Sequence, residues 1–153
     1  MEADIIKLST KGRYGVCAMY DLAVCFGEGP QTVKAISERQ NIPEAYLEQL
    51  IARMRKAGLV QSIRGSQGGY LLADDPANIS ISAILRATEG TIAPVSCVEE
   101  DDDPCENAPG CPMHMLWGRI YVGMNELLDS ITLRDMLAGQ SQACVGEAAL
   151  KDE

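Results

Sequence analysis

The alternation of apolar and polar positions divides the chain into short amphipathic segments. A first helix opens at Ser9 or Thr10 and runs to about Phe26. Ala18, Leu22, Cys25 and Phe26, with Met19 and Ala23, give it a wide apolar face. Gly27-Glu28-Gly29-Pro30 ends it. Thr32 caps a short second helix through about Arg39, with Val33 and Ile36 inward. Asn41-Ile42-Pro43 breaks the chain, and Pro43 suits the first position of a third helix. That helix sets Leu47, Leu50, Ile51 and Met54 at i, i+3, i+4 and i+7, and Gly58 stops it.

Two short helices joined by a tight turn, the second amphipathic, read as a helix-turn-helix. Leu59 to Ile63 then alternates β-type and polar residues. The segment Arg64-Gly65-Ser66-Gln67-Gly68-Gly69 is a glycine-rich tip, and Tyr70-Leu71-Leu72 returns as a second strand, which makes a hairpin. Asp74 to Asn78 is a turn. Ser80 caps a fourth helix carrying Ile81, Ile84, Leu85 and Thr88, which ends at Gly90. The expected fold is mainly α with a small β-hairpin wing, a winged helix-turn-helix over residues 1–90.

Residues 91–112 break this rhythm. They hold three cysteines, four prolines and the acidic run Glu99 to Asp103, with little periodicity. An irregular segment of this length inside a compact domain is usually functional or disordered. A long helix follows from about Pro112 to Ser130. Leu116, Ile120, Met124, Leu127 and Ile131 form a stripe with no evident partner in the chain, so a dimerisation helix is expected. Thr132-x-x-Asp135 is a capping box for a short last helix to about Ala138, and these two helices make up a unit over 113–138. Residues 139–153 are small and polar and read as a flexible tail.

The 153 residues are 46% hydrophobic, which allows a real core. No apolar stretch approaches the roughly 20 residues that span a bilayer. The acidic start, Met1-Glu2-Ala3-Asp4, is not a signal peptide, so a cytoplasmic protein without a membrane partner is expected. The net charge of −9 argues against nucleic acid until its distribution is read. Residues 1–90 carry ten Lys/Arg and ten Asp/Glu. The remainder carries three basic and twelve acidic residues. Between Gln49 and Ala73 there is no acid, while Arg53, Arg55, Lys56 and Arg64 are present. It is a local stretch, not the whole-chain charge, that meets phosphate.

On the third helix the face opposite the apolar one carries Ala45, Gln49, Ala52 and Lys56, flanked by Glu48 and Arg53. Small residues let such a helix sit deep in the major groove of double-stranded DNA. Gln49 can pair with adenine and Glu48 can accept from the cytosine amino group. Arg53, Arg55 and Lys56 can grip phosphate. The wing tip, Arg64, Gly65, Ser66 and Gln67, has little side-chain bulk. It can approach the backbone or send Arg64 into the minor groove. A polar helix face is often only a solvated face; here its place in a helix-turn-helix ahead of a wing favours DNA.

Cys97, Cys105, Cys111 and His114 form C-x7-C-x5-C-x2-H, with the only histidine of the chain. Three thiolates and an imidazole in one irregular stretch can close on a single metal centre. Structural zinc and an iron–sulfur cluster are the candidates. Zinc sites usually use tighter Cys pairs, and the wide gaps suit a larger inorganic core. Unrelated cytosolic thiols are the plainer alternative. Cys17 and Cys25 read as core filler, and Cys144 as an unassigned thiol in the tail. No catalytic pair is suggested, and an enzyme is not expected.

Several segments together resemble the Rrf2 family of bacterial winged-helix regulators. These are Ser9-Thr10-Lys11-Gly12-Arg13-Tyr14, Ile36-Ser37-Glu38-Arg39-Gln40, Tyr46-Leu47-Glu48-Gln49-Leu50, Arg55-Lys56-Ala57-Gly58-Leu59-Val60 and Arg64 to Leu72. The similarity runs from about Leu8 to Ala138 and is strongest to the members that regulate iron–sulfur cluster assembly. It implies a homodimeric transcription factor carrying a 2Fe–2S cluster on Cys97, Cys105, Cys111 and His114. The cluster assembly machinery would be the donor. It also implies DNA contacts by Glu48, Gln49, the residue at Ala45 and Arg64. The chain departs from the pattern in its first cysteine gap, seven residues where five are typical, and in Ala45, where the relatives have a hydroxyl. Nitric-oxide-sensing relatives with a 4Fe–4S cluster draw a ligand from an acid in the first helix, where this chain has Lys11 and Arg13. That sensor and a zinc-stabilised protein-interaction module are the alternative readings.

Overall fold

A computed structural model describes residues 9–90, 92 and 109–139. In chain order it contains α1 (Thr10–Val24), α2 (Val33–Gln40), α3 (Glu44–Lys56), β1 (Val60–Ile63) and β2 (Gly69–Leu72). A 3₁₀ turn (Pro76–Asn78), α4 (Ile81–Glu89), α5 (Pro112–Ser130) and α6 (Leu133–Ala138) follow. This is the mainly α winged helix-turn-helix with a long additional helix that the periodicity predicts. Strands β1 and β2 pair antiparallel, with Val60 opposite Leu72 and Ile63 opposite Gly69.

The helix ends follow local chemistry. The Thr32 hydroxyl accepts from the Ala35 N–H at 3.1 Å and the Ser80 hydroxyl from the Ala83 N–H at 3.1 Å. Thr132 and Asp135 form the reciprocal capping box. Pro43 occupies the N-cap of α3, one place before the first helical position, and α1 stops at Val24, short of Phe26. Asn41 takes the left-handed conformation (φ 55°) that turns α2 into α3.

Helix α1 is the centre of the fold. Met19 and Leu22 from α1, Ile36 from α2, and Leu47, Leu50, Ile51 and Met54 from α3 are buried together with Val60, Leu72 and Ile84. Each such aliphatic side chain contributes roughly 1.5–3 kcal/mol by leaving water. Helix α4 lies close on α1 because Gly12 and Gly15 carry no side chain. A Cβ at Gly12 would sit 2.5 Å from Glu89 Oε1, and one at Gly15 would sit 2.6 Å from Thr88 Cγ2.

The last short helix packs back onto this body. Leu133 is fully buried. Ile81 N–H donates to the Ile131 carbonyl at 2.8 Å and Leu133 N–H to the Ile79 carbonyl at 3.0 Å. Arg134 pairs with Asp75 at 3.0 Å. Although the sequence groups residues 131–138 with α5, the structure joins them to the winged-helix core.

Helix α5 differs from the others: every one of its residues is exposed or half-buried. One flank lies along α4, where Arg86 donates to the Asn125 side chain at 2.9 Å. Among the described residues, no helix is long and apolar enough to cross a membrane.

Candidate nucleic-acid interface and metal centre

The helix-turn-helix is held together by a carboxylate inside an apolar run. Asp21, 4% exposed, lies between Tyr20 and Leu22 on α1. A buried carboxylate needs a charged, hydrogen-bonding partner. Arg39 of α2 supplies it bidentately, Nε to Oδ1 at 2.9 Å and Nη2 to Oδ2 at 2.7 Å, and Gln40 Nε2 adds a third bond at 3.1 Å. The hydrogen bond to Asp21 raises the pKa of Arg39 above its ordinary value. This pair fixes α2 on α1 and so orients α3, which follows one turn later. Sequence periodicity does not find it.

Ala45, Glu48, Gln49, Arg53 and Lys56 are all exposed on one side of α3, opposite the buried Leu47, Leu50, Ile51 and Met54. Arg53 is partly committed: its Nη1 donates to the Thr88 carbonyl at 2.9 Å, near the C-terminal end of α4. Arg53, Lys56, Thr88, Glu89 and Gly90 line an open cleft of about 410 Å³ there. The chain enters residues 91–111 from this point.

Arg64, Gly65, Ser66 and Gln67 are exposed at the wing tip. Gly65 (φ 112°) makes the turn, and Gly68 N–H donates to the Gly65 carbonyl at 3.0 Å. A Cβ on Gly68 would lie 2.2 Å from the Ile63 carbonyl, so the tip needs glycine there. Below it, Gln31 and Tyr70 exchange backbone hydrogen bonds of 2.8 and 2.7 Å, a single antiparallel bridge that ties the wing to the segment ahead of α2.

Of the four residues proposed from their spacing to hold a metal, Cys97 and Cys105 lie outside the described residues. The acidic run Glu99 to Asp103 and Cys144 lie outside them as well. Cys111 is the half-buried N-cap of α5, and His114 is the third residue of that helix. The two positions bound the first turn of the helix, and Cys111 makes no side-chain capping bond there. Among the described residues, Nδ1 of His114 is the buried side-chain polar atom with no hydrogen-bond partner. Such an atom is costly unless something coordinates it. A soft thiol and an unsatisfied imidazole nitrogen on the positive end of a helix suit an iron–sulfur centre with thiolate ligands.

Cys17 on α1 and Cys25 at its C-cap are half-buried. Cys17 packs against the core. Cys25 lines a cavity of about 190 Å³ with Leu22, Phe26, Gln31 and Tyr70. Burial first, and then the Asp21 carboxylate, raise its pKa, so it remains a neutral thiol. The proposed dimer stripe is divided on α5: Leu116 (44%) and Leu127 (60%) are exposed, and Ile120, Met124 and Ile131 are half-buried.

Comparison with known proteins covers the whole described body. A family profile, Rrf2, described as an iron-dependent transcriptional regulator, matches residues 8–139. The transcriptional regulator CymR of Bacillus subtilis is 47% identical over 131 residues, 86% of this chain and 89% of its own. The transcriptional regulator IscR of Sodalis glossinidius is 39% identical over 135 residues, 88% of this chain and 81% of its own. Among solved structures, CymR of B. subtilis, described as the global cysteine regulator, superposes with a TM-score of 0.74 at 44% identity, covering 90% of this chain and all of that one. IscR of T. potens gives a TM-score of 0.68 at 45% identity, covering 90% and 93%.

Proposed function

The chain belongs to the Rrf2 family of winged-helix transcriptional regulators, and on that premise we propose that it is a homodimeric, iron–sulfur-sensing regulator of promoter DNA. It works in the cytoplasm, and the genes it controls include those of cluster biogenesis. Cys97, Cys105, Cys111 and His114 hold a 2Fe–2S cluster delivered by the assembly machinery. The observation that carries this reading is the buried, unpartnered Nδ1 of His114, one helical turn from Cys111. When bound, the cluster supplies a redox-active centre whose loss reports oxidant or iron shortage.

The DNA face is Ala45, Glu48, Gln49, Arg53 and Lys56 on α3, with Arg64, Gly65, Ser66 and Gln67 at the wing. Gln49 and Glu48 read base edges, Lys56 and the free part of Arg53 hold phosphate, and Arg64 enters the minor groove. Ala45 leaves room for α3 and offers only a methyl group. Leu116, Ile120, Met124, Leu127 and Ile131 pair α5 with a second copy.

Residues 91–111 connect α4, which packs on the recognition helix, to α5. A centre closed within that connection favours one spacing of the two recognition helices over another, so the signal is a shift in population.

A second reading is favoured by the 47% identity to CymR and the description of its structure as a global cysteine regulator. In that reading the chain answers cysteine supply and holds no cluster. Anaerobic purification followed by a visible spectrum and iron, acid-labile sulfide and zinc counts tests both. Iron and sulfide with a coloured protein support the cluster. A colourless protein without sulfide supports the cysteine reading, and stoichiometric zinc without sulfide supports a structural zinc site.

A further inference from the structure

The hairpin β1–β2 has strands of only four residues, and an isolated two-stranded hairpin of that size is marginal in water. Its base is anchored by Val60 and Leu72, both buried and directly opposite each other. From there the wing rises into solvent, and Arg64 lies beyond the last paired residues. A lever held only at its base does not hold its tip at one angle.

The second support is Gln31. Its backbone pairs with Tyr70, halfway up β2, and a Cβ on Gly69 would lie 2.6 Å from the Gln31 carbonyl, so glycine permits the approach. The Gln31 side chain is clamped in turn. Its Oε1 accepts from Arg39 Nη2 at 2.9 Å, and its Nε2 donates to the Gly29 carbonyl at 3.2 Å. The same Arg39 nitrogen holds Asp21. A continuous chain of hydrogen bonds therefore runs from α1 through the first helix of the helix-turn-helix to the middle of the wing.

We propose that Gln31 is a positioning residue for DNA recognition: it locks the wing to the helix-turn-helix through Arg39 and so sets where Arg64 meets the duplex. Gln31 touches no DNA in this scheme. It removes the freedom of the wing before binding, so that less ordering is required on the duplex. The inference rests on the assignment of Arg64 to DNA made above.

The test uses the full-length protein and a fluorescent duplex selected by the wild type from a random pool. Gln31→Met keeps the volume and removes both side-chain hydrogen bonds. It should weaken binding about three- to tenfold, the net worth of a typical hydrogen bond, with circular dichroism unchanged. In an Arg64→Ala background it should cost nothing further, because the tip it positions is gone. Amide exchange at Tyr70 should quicken in Gln31→Met, and Gln31→Glu, which keeps the acceptor for Arg39, should restore protection. Full additivity of the two losses, or unchanged exchange at Tyr70, would overturn the positioning role. An Arg64→Ala variant that binds as well as wild type would show instead that the wing reading has failed, and the inference would fall with it.

Discussion

The carboxylate of Glu89, the last residue of α4, caps the first helix by accepting from the Gly12 N–H at 3.1 Å. The same oxygen also accepts from the Ser9 N–H at 2.9 Å and from the Ser9 hydroxyl. The Ser9 side chain is thus not the cap of its own helix; a residue eighty positions away satisfies the orphan donors. Glu89→Ala should destabilise the protein by about 1 kcal/mol, as loss of a cap does. Gly15→Ala should cost more, roughly 1–3 kcal/mol, because its Cβ would press on Thr88 Cγ2 and α4 must move. Urea denaturation with an unchanged slope checks both, and a Gly15→Ala protein as stable as wild type would contradict the close packing.

Local patterns were legible where one residue type repeats over several turns. Leu47, Leu50, Ile51 and Met54 are all buried, as their spacing requires. Leu133 was not legible, since α6 has six residues and no room for a period; what buries it is the pairing of Ile79 and Ile81 with the chain around Ile131. Asp21 carries a signal outside periodicity: a carboxylate between Tyr20 and Leu22 must find a cation, although eighteen residues separate it from Arg39. On α5 the stripe marks an apolar face but cannot say what covers it.

Acid should loosen the contact between the 3₁₀ turn and α6. The pKa of Asp75 is lowered by the Ala77 N–H and by Arg134, and that of Asp74 by Asn78 and the Asp75 N–H. Carboxylates depressed on folding stabilise above their unfolded pKa, and that contribution is lost as pH falls through the lower, folded value. Stability should therefore fall from about pH 4 downward. Thermal melts of Asp75→Asn should show a flatter decline there than wild type. Parallel curves would remove Asp75 from the account.

The α5 stripe makes the assembly testable without DNA. Leu116→Glu and Leu127→Glu change exposed positions of a single chain, so the monomer fold should be nearly unaffected. In a two-fold dimer each change places like charges at an apolar seam. Sedimentation at micromolar concentration should show wild-type dimer and mutant monomer. A footprint of two half-sites about one helical turn (~34 Å) apart should collapse with it. Unchanged dimers would put the interface elsewhere.

On α3 the phosphate and base contributions separate by substitution. Lys56→Ala should weaken binding to all duplexes alike and flatten the dependence on salt. Gln49→Ala should cost roughly 1–3 kcal/mol at the preferred sequence only. Arg53→Ala should lower stability as well as affinity, because it also releases the Thr88 carbonyl. If Lys56→Ala and Gln49→Ala behaved identically across sequences, the face of α3 assigned to DNA would be wrong.

His114 should set the redox character of the centre. Its Nδ1 is buried with no protein partner, so its occupant is the metal in the proposed reading. An imidazole ligand is neutral and a thiolate is charged, and iron–sulfur centres with imidazole ligands have higher potentials. His114→Cys should still give a coloured protein, with a reduction potential lower by on the order of 100 mV. Because a thiolate is the stronger donor, the mutant centre should also survive longer in air. Cys111→Ala should abolish the colour, while Cys25→Ala should keep it, since the Cys25 thiol faces the cavity beside Tyr70. Protein-film voltammetry and absorbance decay, wild type beside mutant, supply the comparison. Equal potentials and equal decay rates would remove His114 from the ligand set and leave its buried nitrogen without a partner.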